Sequence, residues 1–296
     1  MKNSQSRRKA IKTIAGTAAL LSFPVPFIHK TYANRPDLNK GLTGRIRHSA
    51  CRWCYNDIPL ETLCAEGSKM GLESIDLVGP KDWPTLKKYG LTSGMGNGAE
   101  LGIAKGWNDP QYHDTLVKNY LEIIPIAARE GIENIICLSG NRNGMDDETG
   151  LKNCEMGLKK ILGIAEQNKV TIVMELLNSK VDHKDYMCDH TPWGVELCNR
   201  IGSERFKLLY DIYHMQIMEG DVIRTIRDNH QYIVHYHTGG VPGRHEINDS
   251  QELFYPAIMK AIAETGFTGF VAQEFIPTRE NKLESLKEAL EICTVS

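Results

Sequence analysis

From about residue 46 onward, short apolar runs of four to seven residues alternate with stretches whose apolar positions recur at spacings of three and four. The runs predict strands at Ile46–Tyr55, Ser74–Val78, Leu91–Met95, Asn134–Leu138, Val170–Leu176, Phe206–Asp211, Ile233–Thr238 and Phe270–Phe275. Between them, the helical spacing predicts Leu60–Met70, a short Trp83–Lys88, His113–Arg129, Thr149–Gln167, Thr191–Ile201, Gly220–Asn229, Gln251–Thr265 and Lys282–Cys293. Strict alternation implies a parallel sheet, because each crossover must return the chain to the same end. Eight repeats imply closure, so the expected fold is α/β, a (β/α)8 TIM barrel in a single domain over residues 34–296.

Four runs in the second half end on a group that binds cations: Glu175, Asp211, His237 and Glu274. The intervals between them are 36, 26 and 37 residues, which bracket the roughly 30 residues of a βαβ unit. In a closed barrel, strands of one direction bring these groups to one carboxyl-end rim. Three carboxylates and an imidazole suit a fairly hard divalent cation, Mn²⁺, Mg²⁺ or Co²⁺, with Zn²⁺ less favoured. A metal held by a carbonyl and its neighbouring hydroxyl acidifies the C–H between them. Glu175 and Glu274 are then the catalytic pair, one removing that proton and the other returning it to the neighbouring carbon or the opposite face.

Further residues surround this rim. His214, three residues past Asp211, belongs in the loop beside the metal, and Arg244 follows strand seven in a glycine-rich loop where it can grip a hydroxyl or carboxylate. His235 shares a strand face with His237 and reads as a core histidine behind the site. The polar insert Leu176–Tyr186 after strand five adds Asn178, Lys180 and His183 as candidate substrate contacts.

Composition changes this picture mainly at the amino end. The chain has 296 residues, 41% hydrophobic and 24% charged, enough for one large soluble core. Residues 1–33 stand apart from it. Arg7-Arg8 precedes an apolar stretch, Thr13–Phe23, that is too short for a comfortable bilayer span and breaks at Pro24 and Pro26. This predicts a twin-arginine signal peptide, periplasmic localisation and no stable membrane anchor. The segment holds six basic residues and no acid, so its removal takes the formal charge from −2 to −8. An acidic domain has no general attraction for nucleic acid, which speaks against a DNA-repair nuclease and for small-molecule partners; a homo-oligomer is compatible with the sequence. Several of the eight cysteines sit in apolar contexts suited to buried thiols, and Cys51 and Cys54, despite their redox-motif spacing, read as two thiols on or after the first strand.

The blocks Leu209–Asp221 and Pro242–Asn248, with the weaker Ile75–Pro80, resemble the hydroxypyruvate isomerase family of the xylose-isomerase-like barrels. The resemblance covers residues 45–293. It implies a divalent metal on Glu175, Asp211, position 237 and Glu274, with the two glutamates as the proton-transfer pair and His214 and Arg244 as substrate contacts. Hydroxypyruvate isomerases tend to carry Gln at position 237, whereas related ketose 3-epimerases carry His, as here. The expected activity is therefore a metal-dependent isomerase moving a proton through an enediolate on a small hydroxycarbonyl or sugar. A ketose 3-epimerase, a keto-sugar lyase and a non-catalytic sugar-binding barrel are the alternatives.

Overall fold

The computed structural model describes residues 46–295, so the segment read as an export signal lies outside the described residues. Among the described residues seven strands are formed: β1 (Arg47–Cys51), β2 (Leu72–Asp76), β3 (Asn134–Cys137), β4 (Thr171–Leu176), β5 (Phe206–Asp211), β6 (Ile233–Thr238) and β7 (Phe270–Gln273). All pair in parallel in the order β2-β1-β7-β6-β5-β4-β3. Strands buried on both faces need continuous apolar runs, and β4 is buried at all six positions. The apolar patterns of the sequence are legible for this reason.

The helices are α1 (Leu60–Met70), α2 (Trp83–Lys88), α3 (His113–Glu130), α4 (Asp147–Asn168), α5 (Thr191–Ile201), α6 (Ile212–Met218), α7 (Val222–Asn229), α8 (Tyr255–Glu264) and α9 (Lys282–Cys293). Their ends follow local chemistry. Gly71 stops α1 at φ 102°, where a side chain would be strained, and the Asp146 carboxylate accepts the Thr149 N–H to start α4. No helix among the described residues is long and apolar enough to cross a membrane.

Three sequence expectations are corrected. The expected third strand, Leu91–Met95, forms only isolated parallel bridges, from Thr92 to Ser74 and from Gly96 to both Val78 and Ile135. Between these bridges side chains take the ladder bonds of Gly94: its N–H donates to Ser74 Oγ (2.6 Å) and its carbonyl accepts from Asn134 Nδ2 (3.0 Å). The segment therefore bridges the two sheet edges, β2 and β3, without becoming a regular strand. Second, β1 ends at Cys51, and residues 52–55 coil into a 3-10 turn that carries Trp53 over the strand end. Third, the Leu209–Asp221 block contains an unexpected helix, α6, whose first turn is capped by Asp211 Oδ1 accepting the His214 N–H at 3.1 Å.

Candidate functional site

Parallel register brings the four strand-end groups together. Asp211 on β5 pairs directly with His237 on β6, and Glu274 follows β7 with its N–H donated to the Thr238 carbonyl at 3.1 Å. Glu175 stands on β4, next to β5. All four side chains are buried, and a donor atom of each lies within 4.8 Å of the others. His237 Nδ1 faces the acids, 2.7 Å from Glu274 Oε2 and 3.2 Å from Glu175 Oε1. An O₃N donor set of this kind fits a divalent cation.

The opposite side of the imidazole faces the barrel interior. His237 Nε2 lies 3.7 Å from both Asp76 Oδ2 and Cys51 Sγ. Asp76 accepts Ser49 Oγ at 2.6 Å and Ser74 Oγ at 2.9 Å on one oxygen, and His235 Nε2 at 2.5 Å on the other. Burial alone would raise its pKa, but these partners, chiefly His235, hold it well below the carboxylate range. His235 is thus a core histidine, as its strand position suggested.

Arg244 crosses the mouth of the cluster. Its Nη2 donates to Asp211 Oδ2 (3.0 Å) and Glu274 Oε2 (2.6 Å), its Nε to the Glu274 carbonyl (3.1 Å), and its Nη1 lies 2.9 Å from His214 Nε2. The guanidinium also lies between the Trp53 and Tyr213 rings, 5.3 and 5.1 Å from their centroids. Burial would raise the Glu274 pKa, yet the charges of His237 and Arg244, with hydrogen bonds from His237 and Trp53, hold it well below its usual range. Asp211, deeper in the protein, is pushed up by burial despite Arg244. Burial, aided by the Arg244 charge, keeps His214 neutral.

A cavity of about 400 Å³ opens onto this cluster, lined by Glu175, Glu274, Arg244 and His183 together with an apolar wall. A hollow of about 930 Å³ at the amino ends of the strands, bordered by Arg47, Asn134 and Phe270, contains none of these groups. Of the three candidate contacts in the insert, only His183 lines the cavity. Asn178 is buried behind it, with Nδ2 2.6 Å from His214 Nδ1 and Oδ1 accepting the N–H groups of Val181 and Asp182. Lys180 departs from its expected place: its Nζ donates to the carbonyls of Ile217 and Met218 at 3.0 and 2.9 Å, closing the end of α6. The side chain is drawn there by carbonyls that α6 leaves unpaired.

Two residues at the rim escaped the sequence reading. Trp53 Nε1 donates to Glu274 Oε1 at 2.6 Å, and Asp76 backs His237. Asp76 ends β2, but the apolar run of the sequence continues to Val78 and placed it inside the expected strand; Trp53 sits in Cys51-Arg52-Trp53-Cys54, where the cysteines drew the attention. All eight cysteines are buried free thiols.

Comparison with known proteins fits this geometry. The chain is 28% identical over 129 residues to the human putative hydroxypyruvate isomerase, covering 44% of this chain and 46% of that protein. It is 33% identical over 108 residues to 2-oxo-tetronate isomerase of Cupriavidus necator, covering 36% and 41%. Those matches span less than half the length of either relative. Among solved structures, a family 2 AP endonuclease from Brucella melitensis superimposes with TM-score 0.70 at 21% identity, covering 80% of this chain and 96% of that one. The 3-keto-D-glucoside 4-epimerase of E. coli gives 0.70 at 16%, covering 83% and 98%. The family model described as xylose isomerase-like TIM barrel matches residues 85–294, and this chain belongs to that family.

Proposed function

We propose that the protein is a metal-dependent isomerase acting on a small hydroxycarbonyl or sugar substrate, in a (β/α)8 barrel whose eighth stave is the irregular 92–96 segment. The observation that carries this reading is the convergence of Glu175, Asp211, His237 and Glu274, two of which also border the cavity. These four residues would hold a divalent cation, which would stabilise negative charge developing on the substrate oxygens. Glu175 and Glu274 then share the proton traffic, one removing a proton beside the carbonyl and the other delivering one. Trp53 and Arg244 fix the Glu274 carboxylate, so that its orientation is set before substrate arrives. The names of the relatives support isomerase chemistry, and those of the structural neighbours include an epimerase. We further propose that residues 1–33 direct export through the twin-arginine pathway, on the strength of Arg7-Arg8 and the apolar stretch behind them.

The test is proton exchange. Metal-loaded protein incubated in D₂O with hydroxycarbonyl acids, ketoses and keto-glycosides should place deuterium beside a carbonyl of at least one of them. Glu175→Gln and Glu274→Gln should each slow that exchange by about 10²-fold or more. A protein that binds a ligand tightly yet exchanges nothing is a binding module instead.

A further inference from the structure

We infer that the site accepts an uncharged sugar ring bearing a keto group, packed on the indole of Trp53, and discriminates against short 2-oxo acids; this rests on the isomerase reading above. Two independent features of the cavity carry the inference: the charge of its lining and the shape of its wall.

Among the residues that line the cavity, Arg244 is the sole permanent cation, against the carboxylates of Glu100, Glu175 and Glu274. Every nitrogen of Arg244 is engaged, with Glu274, Asp211 and His214, so the guanidinium already serves the cluster. Lys180, the other candidate partner for a substrate carboxylate, is bound to the end of α6. His183 is held neutral by burial. The Glu100 carboxylate is turned to its own loop, with Oε2 accepting the Gly98 and Ala99 N–H groups at 2.9 and 3.0 Å. A carboxylate that entered away from the four clustered groups would lose water without gaining a cation, which is costly.

The wall points to what enters instead. Leu77, Ile103, Ile136, Leu138 and Leu177 form an apolar surface, completed by the indole of Trp53. Trp53 is 37% exposed and pinned through its N–H to Glu274, so its ring is a fixed face at the edge of the catalytic pair. A flat aromatic face fits the C–H side of a sugar ring, whose hydroxyls remain at the periphery. Enolisation needs a carbonyl next to a C–H, which an ordinary closed sugar lacks. The ring must therefore carry a keto group, formed by an earlier oxidation of a ring hydroxyl.

The experiment compares two probes on the manganese-loaded full chain: methyl 3-keto-glucoside, and hydroxypyruvate. Deuterium exchange should favour the keto-glucoside by at least about tenfold in kcat/KM. Trp53→Ala should raise KM for the keto-glucoside about tenfold, and Trp53→Phe, which keeps a ring face, should raise it less. Thermal melts of both variants separate a lost platform from a lost fold, and hydroxypyruvate exchange should be insensitive to the ring. Preferential exchange of hydroxypyruvate overturns the inference and leaves the isomerase reading standing. An unchanged KM in a folded Trp53→Ala protein also overturns it. No exchange with either probe or with any of the wider panel overturns both.

Discussion

The carboxylate of Asp76 stands 3.7 Å from Nε2 of His237, on the side of the ring opposite the nitrogen that faces Glu175 and Glu274. Its own position is fixed by Ser49, Ser74 and His235. A carboxylate behind a metal-binding imidazole orients the ring and makes the facing nitrogen a better donor. Asp76→Asn is expected to weaken Mn²⁺ binding about 10- to 100-fold, measured by calorimetric titration. Equal affinity in a folded variant would show that Asp76 serves the core alone.

Arg244 donates to two buried acids at once, so its removal leaves both without that partner. Arg244→Met should destabilise the protein in chelator by about 3–5 kcal/mol, the usual consequence of leaving buried charges unpaired. Added Mn²⁺ should recover a large part of the loss in melting temperature, because a cation among the same carboxylates replaces the missing charge. Melting temperatures in chelator that match the parent would mean that Arg244 contributes no such compensation.

The fate of Lys180 gives a prediction of the opposite sense. Since its ammonium closes α6 and stands apart from the cavity lining, Lys180→Ala should change KM by less than about twofold. Stability should fall by about 0.5–1 kcal/mol, the scale of a helix C-terminal cation. A large KM increase in steady-state kinetics would return this residue to the substrate site.

Glu175, Asp211, His237 and Glu274 were legible in the sequence because parallel strands buried on both faces leave unbroken apolar runs, and the polar residue that ends each run sits at the rim. Lys180 and Asn178 belong to a loop whose side-chain directions depend on α6, and the apolar spacing predicted a helix only from Gly220, leaving α6 out. Trp53 was hidden by the length of its apolar run: β1 was expected to reach Tyr55, but the chain turns at Arg52 and throws the indole over the site. The 92–96 segment shows the same limit. Its apolar run marks the segment that bridges β2 and β3, while the side chains of Ser74 and Asn134 take the bonds of Gly94 and leave it short of a regular strand.

Gly94 makes that segment a sensitive point. A Cβ there would lie 2.7 Å from the Phe270 ring and 3.0 Å from Asp76 Oδ1. Gly94→Ala should therefore cost about 1–3 kcal/mol by overpacking, read from denaturant midpoints. Because Asp76 must shift as well, Mn²⁺ affinity should fall in the same variant. A neutral Gly94→Ala would mean that the bridge between β2 and β3 yields more easily than its contacts indicate.

Glu246 links the Arg244 loop to the segment leading into α9, and its chemistry makes that link acid-sensitive. Its carboxylate accepts the Thr278 N–H (2.7 Å), Thr278 Oγ1 (2.9 Å) and Ser285 Oγ (2.8 Å). Burial alone would raise its pKa, but these donors bring it down to about 2. A folded value below the unfolded one means that the anion stabilises the native state fully above about pH 4.5. That contribution is lost as pH falls through 4 toward 2. With solvent screening it amounts to about 1–2 kcal/mol. Glu246→Gln should thus melt below the parent at pH 7, and the gap should narrow steadily between pH 5 and pH 3. Since Arg244 sits two residues earlier on the same loop, turnover in the variant should decline with the loop's order. A gap that stays constant across that pH range would show that the loop is held by packing, independent of the Glu246 charge.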